Sequence, residues 1–101
     1  MEISTLELVT FQAVSGASDE DLIDKAFKLT PILATMPGFV DRHFAKGEDG
    51  EWIDAVIWNS HENAKAAAKA VMEVPEAQPF FSLIDRETIN LRHATIQTPK
   101  T

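Results

Sequence analysis

The sequence predicts one α+β domain of βαββαβ order, and three observations lead there. Four segments rich in β-branched and aromatic residues alternate with two amphipathic helical segments in the order that gives the arrangement its name. The central pair of strands is joined by Gly47-Glu48-Asp49-Gly50, an acidic turn with Gly at both ends. The chain of 101 residues, 45% of them hydrophobic, has room for a single core.

The elements follow in order. Ile3 to Val14 places apolar residues on both parities (Ile3, Val9, Phe11 and Ala13 against Leu6, Leu8 and Val14), as in a strand covered on both faces. Gly16 breaks it. Ser18 then precedes Asp19, Glu20 and Asp21, which combines an N-cap with negative charge at the positive end of a helix dipole. Leu22, Ile23, Ala26, Phe27, Thr30 and Leu33 recur at helical spacing, and Pro31 is expected to kink or end that helix. After Met36-Pro37-Gly38, strands are expected at Phe39 to Lys46 and Trp52 to Asn59. Ser60 caps a second helix, His61 to about Glu73, with Ala64, Ala67, Ala68, Val71 and Met72 as its apolar stripe. Pro75 and Pro79 bracket a connection, Arg86 to Ile96 reads as the last strand, and Gln97 to Thr101 as a tail. With right-handed crossovers this order gives a ferredoxin-like antiparallel four-stranded sheet with two helices on one face. Two helices leave the other face bare, and a second copy of the chain is the simplest cover, so a homodimer is expected.

Composition narrows the function classes. A formal net charge of −7 disfavours a phosphate-backbone ligand, so no nucleic acid partner is expected. The absence of cysteine excludes a disulfide framework, a zinc–cysteine site and a thiol nucleophile. No long apolar run suggests a membrane span, and Met1 to Leu6 lacks the basic-then-apolar pattern of an export signal, which makes the cytoplasm the default location. The three histidines have no metal-ligand spacing, and neither a Gly-x-Ser-x-Gly elbow nor a Gly-rich phosphate loop is present. Neither metal nor cofactor is expected.

Candidate chemistry comes from the hairpin. If Gly47 faces Gly50, then His43 lies opposite Asp54, Asp41 opposite Val56, Phe39 opposite Trp58 and Ala45 opposite Trp52. One face then holds two tryptophans, a phenylalanine and a His–carboxylate pair. The other is mostly aliphatic, with Val40, Phe44, Ile53, Ala55 and Ile57. Directly opposite residues have Cβ atoms about 4.5–5.5 Å apart, so Asp54 would hold the His43 imidazole as a general base. Trp58 and Phe39 would flank a planar ligand. A one-residue slip of the turn removes the pair. The mechanism would then lie with the polar residues of the first and last strands, such as Glu7, Asn90, Arg92 and His93.

Met36-Pro37-Gly38-Phe39, the hairpin, and Trp58-Asn59-Ser60-His61-Glu62-Asn63-Ala64 together resemble the dimeric α/β-barrel superfamily, and within it the antibiotic-biosynthesis-monooxygenase-like domains. The resemblance spans roughly residues 3 to 96. It implies a homodimer whose sheets face each other, with a pocket in each subunit between sheet and helices. In the cofactor-free quinone-forming members, the Trp matched by Trp58 and an Asn four residues earlier line that pocket; Asp54 stands at the Asn position here, and Ala64 replaces a pocket Tyr. Haem-degrading relatives use a His late in the second helix or just after it, and this chain has none between His61 and His93. The implied activity is that of a small-molecule enzyme, a cofactor-independent monooxygenase acting on an aromatic or polyketide-like substrate. Two rivals stand beside it: a non-catalytic ligand-binding or stress-response module, and an isomerase or lyase that needs only proton transfer.

Overall fold

The computed structural model describes residues 4–98. Strand β1 (Thr5–Phe11) leads into helix α1 (Asp19–Ala34), the hairpin β2 (Phe39–Lys46) and β3 (Trp52–Trp58), and helix α2 (His61–Val71). A 3-10 turn (Pro75–Ala77), the single-turn helix α3 (Gln78–Phe81) and a second 3-10 turn (Arg86–Thr88) precede β4 (Asn90–Thr95). The strands form one antiparallel sheet in the order β2-β3-β1-β4, with the helices on one face, as expected for the ferredoxin-like arrangement. Among the described residues, no helix is long and apolar enough to cross a membrane.

Both helix starts follow from their caps. Ser18 Oγ accepts the Asp21 N–H and Ser60 Oγ accepts the Asn63 N–H, each satisfying a donor that the first helical turn leaves free. Pro31 does not end α1, which runs on to Ala34. Its fixed φ suits a helix, and the bond it forfeits is to the carbonyl of Phe27, a residue 77% exposed to water. The stripe that packs inward is Leu22, Ala26, Leu29 and Leu33, which shares one core with Ala64, Ala67 and Val71 of α2. Ile23 and Phe27, expected inside, stand outside.

The first and last strands are shorter than their composition suggests. Ile3 lies outside the described residues, as do the final residues of the tail. Beyond Phe11 the chain leaves the sheet, keeping only a bridge between Ala13 and Ile84. Arg86–Thr88 is turn rather than strand, because Asp85 accepts the Glu87 N–H on its side chain and the Thr88 hydroxyl on its carbonyl.

The largest correction concerns the β2–β3 register. The hairpin closes on Gly47 and Glu51, with Gly47 N donating to the Glu51 carbonyl at 2.7 Å. Glu48, Asp49 and Gly50 therefore form a three-residue loop, with Gly50 at φ 88° and the Asp49 carboxylate accepting the Glu51 N–H. The extra residue slips the pairing by one: Phe44 faces Asp54, and His43 faces Ala55. A bulge between Phe39 and Asp41 then restores Phe39 opposite Trp58.

The Met-Pro-Gly-Phe and Trp-Asn-Ser segments meet in space. Asn59 N donates to the Gly38 carbonyl at 2.8 Å, and Asn63 Nδ2 to Asn59 Oδ1 at 2.8 Å. Gly38 has φ 87°, and a Cβ there would sit 2.5 Å from Asn59 Oδ1 and 2.6 Å from Asn63 Nδ2. Gly38→Ala thus combines backbone strain with overlap. It should lower stability by about 1–3 kcal/mol, read as a reduced urea midpoint with an unchanged slope.

Candidate functional site

The sheet register brings polar residues into two adjacent rows on the helix-covered face. One row reads His93, Glu7, Val56, Arg42; the next reads Leu91, Val9, Asp54, Phe44. Between this face and the helices lies a cavity of about 390 Å³, in the size range of small-molecule sites. Its walls are mainly apolar, with Phe11, Phe80 and Leu33 among them, and Glu7 and Asp54 are the two carboxylates that reach it. Met72, Ile89 and Leu91, each about half exposed, also line it.

Asp54 is held by Arg42, not by His43. Nε of Arg42 donates to Oδ1 at 2.9 Å and Nη2 to Oδ2 at 2.6 Å, a bidentate pair. Nη1 donates to the Ala26 carbonyl at 2.6 Å and to Thr30 Oγ1 at 3.1 Å, joining both hairpin strands to α1. The guanidinium carbon lies 5.7 Å from the Phe44 ring centroid and 5.6 Å from that of Phe80.

Glu7 is the second carboxylate, and only 7% of the residue is exposed. Its Oε2 lies 3.0 Å from Nε2 of His93. With Glu7 ionised, Nε2 carries the proton and donates. Burial pushes the Glu7 carboxyl above its ordinary value of 4.5, and the charge of Asp54 adds to the rise. The hydrogen bond and charge of His93 oppose it. The Trp58 indole lies close enough to favour the ionised carboxylate as well, yet its N–H is the buried side-chain donor left without a hydrogen-bond partner among the described residues. Behind His93, the His61 ring meets it edge to face with centroids 5.2 Å apart.

The expected site residues are therefore separated. His43 stands on the opposite face of the sheet, exposed, 3.0 Å from Asp41. The slip in the turn put it there, and Asp54 no longer serves as its partner. Trp58 is fully buried, with Phe39 edge to face at 5.7 Å, and neither lines this cavity. Arg42 and Glu7 take the positions of interest. Glu7 and His93 are among the residues a slipped register brings forward, whereas Arg42 carries no signal in the sequence, because strand alternation assigns it to the aliphatic face. Among the described residues, no three His, Asp or Glu side chains are placed to hold a metal ion.

The raised Glu7 pKa has a consequence for stability. Between its unfolded value and the higher folded one, the folded chain keeps a proton that the unfolded chain has lost, so stability falls as pH rises through that window. Glu7→Gln should accordingly raise the melting temperature at pH 7. The gain should shrink as the pH falls below the ordinary carboxyl value of 4.5, where the unfolded chain also takes up the proton; thermal scans across that range read the difference.

No protein-family model matches the sequence, and no curated protein matches it. Solved structures are. SnoaB, a cofactor-independent oxygenase from Streptomyces nogalater, superposes with a TM-score of 0.64 at 14% identity, covering 100% of this chain and 97% of that one. A candidate antibiotic biosynthesis monooxygenase from Bordetella bronchiseptica gives 0.78 at 10% identity, over 93% of this chain and 96% of the other. The NE2512 protein from Nitrosomonas europaea, of unknown function, gives 0.73 at 14% identity, over 99% and 95%. At these identities the likeness establishes the architecture: the chain has the fold of the antibiotic-biosynthesis-monooxygenase-like structures.

Proposed function

We propose that the cavity binds a planar, largely apolar molecule and that Glu7 removes a proton from it, in a cofactor-independent oxygenation of an aromatic or polyketide-like substrate. The observation that carries this reading is a buried carboxylate with a raised pKa, oriented by His93 and facing an apolar cavity. A general base works best with a pKa near the working pH, and burial moves a carboxyl in that direction. Glu7 replaces His43 in this role. The cavity has room for two or three fused rings, with Phe11 and Phe80 as aromatic walls.

The chemistry balances without a redox group on the protein. Glu7 takes one proton from an activated CH2, and the resulting carbanion passes an electron to O2. The radical pair couples to a peroxide anion, which Glu7 protonates. Loss of the second C–H proton to Glu7 then expels hydroxide, which recovers that proton as water. The sum is CH2 + O2 → C=O + H2O. The shared fold with SnoaB, described as a cofactor-independent oxygenase, supports the oxygen step. An oxygen electrode and a panel of anthrones and quinols test it. Wild type should consume one O2 per carbonyl formed, Glu7→Gln should be slower by about 10²–10⁴-fold, and His43→Ala should match wild type. An active Glu7→Gln rules out the base. Deuterium exchange at the substrate carbon without oxygen uptake would move the protein to the isomerases and lyases, and binding with neither would make it a ligand carrier.

The working unit we propose is a homodimer. On the open face of the sheet Leu6 pairs with Ile57, Leu8 with Ala55 and Thr10 with Ile53, while Phe44, expected there, faces the helices. Asp41 stands at the β2 edge of this face and Arg92 at the β4 edge. A two-fold axis along the strands lays the β2 edge of one copy over the β4 edge of the other. Light scattering should return twice the chain mass at micromolar concentration, and Ile53→Asp should abolish it.

A further inference from the structure

We infer that His93 and His61 form a proton path from the back of the cavity to solvent, separate from the opening through which a ligand enters. The inference rests on the proposed role of Glu7 as the base.

Glu7 is the cavity group whose ionisation matters, since Asp54 is already matched by a bidentate arginine. Beside the two carboxylates, Gln78 and Arg86 are the polar residues of a mainly apolar lining. Met72, Ile89 and Leu91 are apolar, and an apolar ligand seated among them excludes water from that side. The opposite side is different. Glu7 Oε2 is 3.0 Å from His93 Nε2, and the His93 side chain keeps 15% exposure. The His61 ring lies against it, centroids 5.2 Å apart, on an exposed residue in the first turn of α2. Imidazole is the side chain that accepts and releases protons readily near neutral pH, and it carries one nitrogen for each direction of transfer. His61 stands exposed at the start of α2, where its ring meets water. The other charged groups near the path are Asp54, which acts on Glu7 across the sheet, and Glu62, next to His61 on α2. The path lets the Glu7 proton exchange with solvent while the cavity is filled, so that the base can reach its ionised form before turnover without release of the ligand.

The test needs no turnover. In the full-length protein, the exchange of the His93 ring N–H with solvent is measured by NMR in wild type, His61→Ala and His61→Gln. His61 is exposed at a helix start, so both variants should fold. A relay predicts that exchange slows by about tenfold or more in both, and that free imidazole restores it. A His61 that merely covers His93 predicts the opposite sign, because its removal admits water. Unchanged or faster exchange overturns the path. Oxygen uptake is a separate readout: slowed exchange in a protein that consumes no oxygen keeps the path and discards the oxygenase reading.

Discussion

The Arg42–Asp54 pair is the interaction on which the arrangement of the site depends. A guanidinium with 1% side-chain exposure is costly to bury, and four hydrogen bonds offset that cost: two to Asp54, one to the Ala26 carbonyl and one to Thr30. Those bonds tie β2, β3 and α1 at one point. Loss of either charged partner strands the other in the interior, a change worth about 3–5 kcal/mol in comparable pairs. The pair also settles the electrostatics of the cavity. With Asp54 committed to Arg42, Glu7 is the cavity carboxylate whose polar partner is a histidine.

The architecture was legible because its signals are redundant. Two serine caps, two apolar stripes and four β-rich runs all point to the same order, and an error in one boundary does not disturb the rest. Misjudged boundaries trace to local chemistry that composition hides. Asp85 and Thr88 fold Arg86–Thr88 into a turn with their own side chains, although the segment reads as β-prone. Pro31 is tolerated because it comes three residues before the end of α1, where a single lost bond faces water.

The site was less legible, since it depends on parity. A two-residue difference in how a turn closes leaves the strands intact, but a one-residue slip exchanges the two faces. Gly47-Glu48-Asp49-Gly50 looks symmetric, yet the Asp49 carboxylate binds the Glu51 N–H and Gly50 adopts positive φ, which moves the closing pair to Gly47 and Glu51. His43 left the covered face and Arg42 entered it. Asp54 kept its place because β3 is set by its pairing with β1, where Asp54 faces Val9. A residue on a central strand is thus a safer inference from sequence than one on an edge strand, whose face is fixed by a turn and a bulge.

The same contrast separates frame from chemistry at the start of the helices. Gly38, Asn59, Ser60 and Asn63 join the start of β2 to the start of α2 through backbone and amide contacts, so these residues serve to close the fold. They constrain the frame and leave the chemistry to the rows behind it. At Trp58 the two meet: the ring is core, packed on Phe39, while its N–H is buried beside Glu7 without a partner. An unpartnered buried donor costs about 1–3 kcal/mol. That cost is offset if the indole biases Glu7 towards its ionised form, the one that can accept a proton. Frame and chemistry therefore share a residue here, so a variant of Trp58 would change the packing and the acidity of Glu7 together, whereas Glu7 and His93 can be altered with the frame intact.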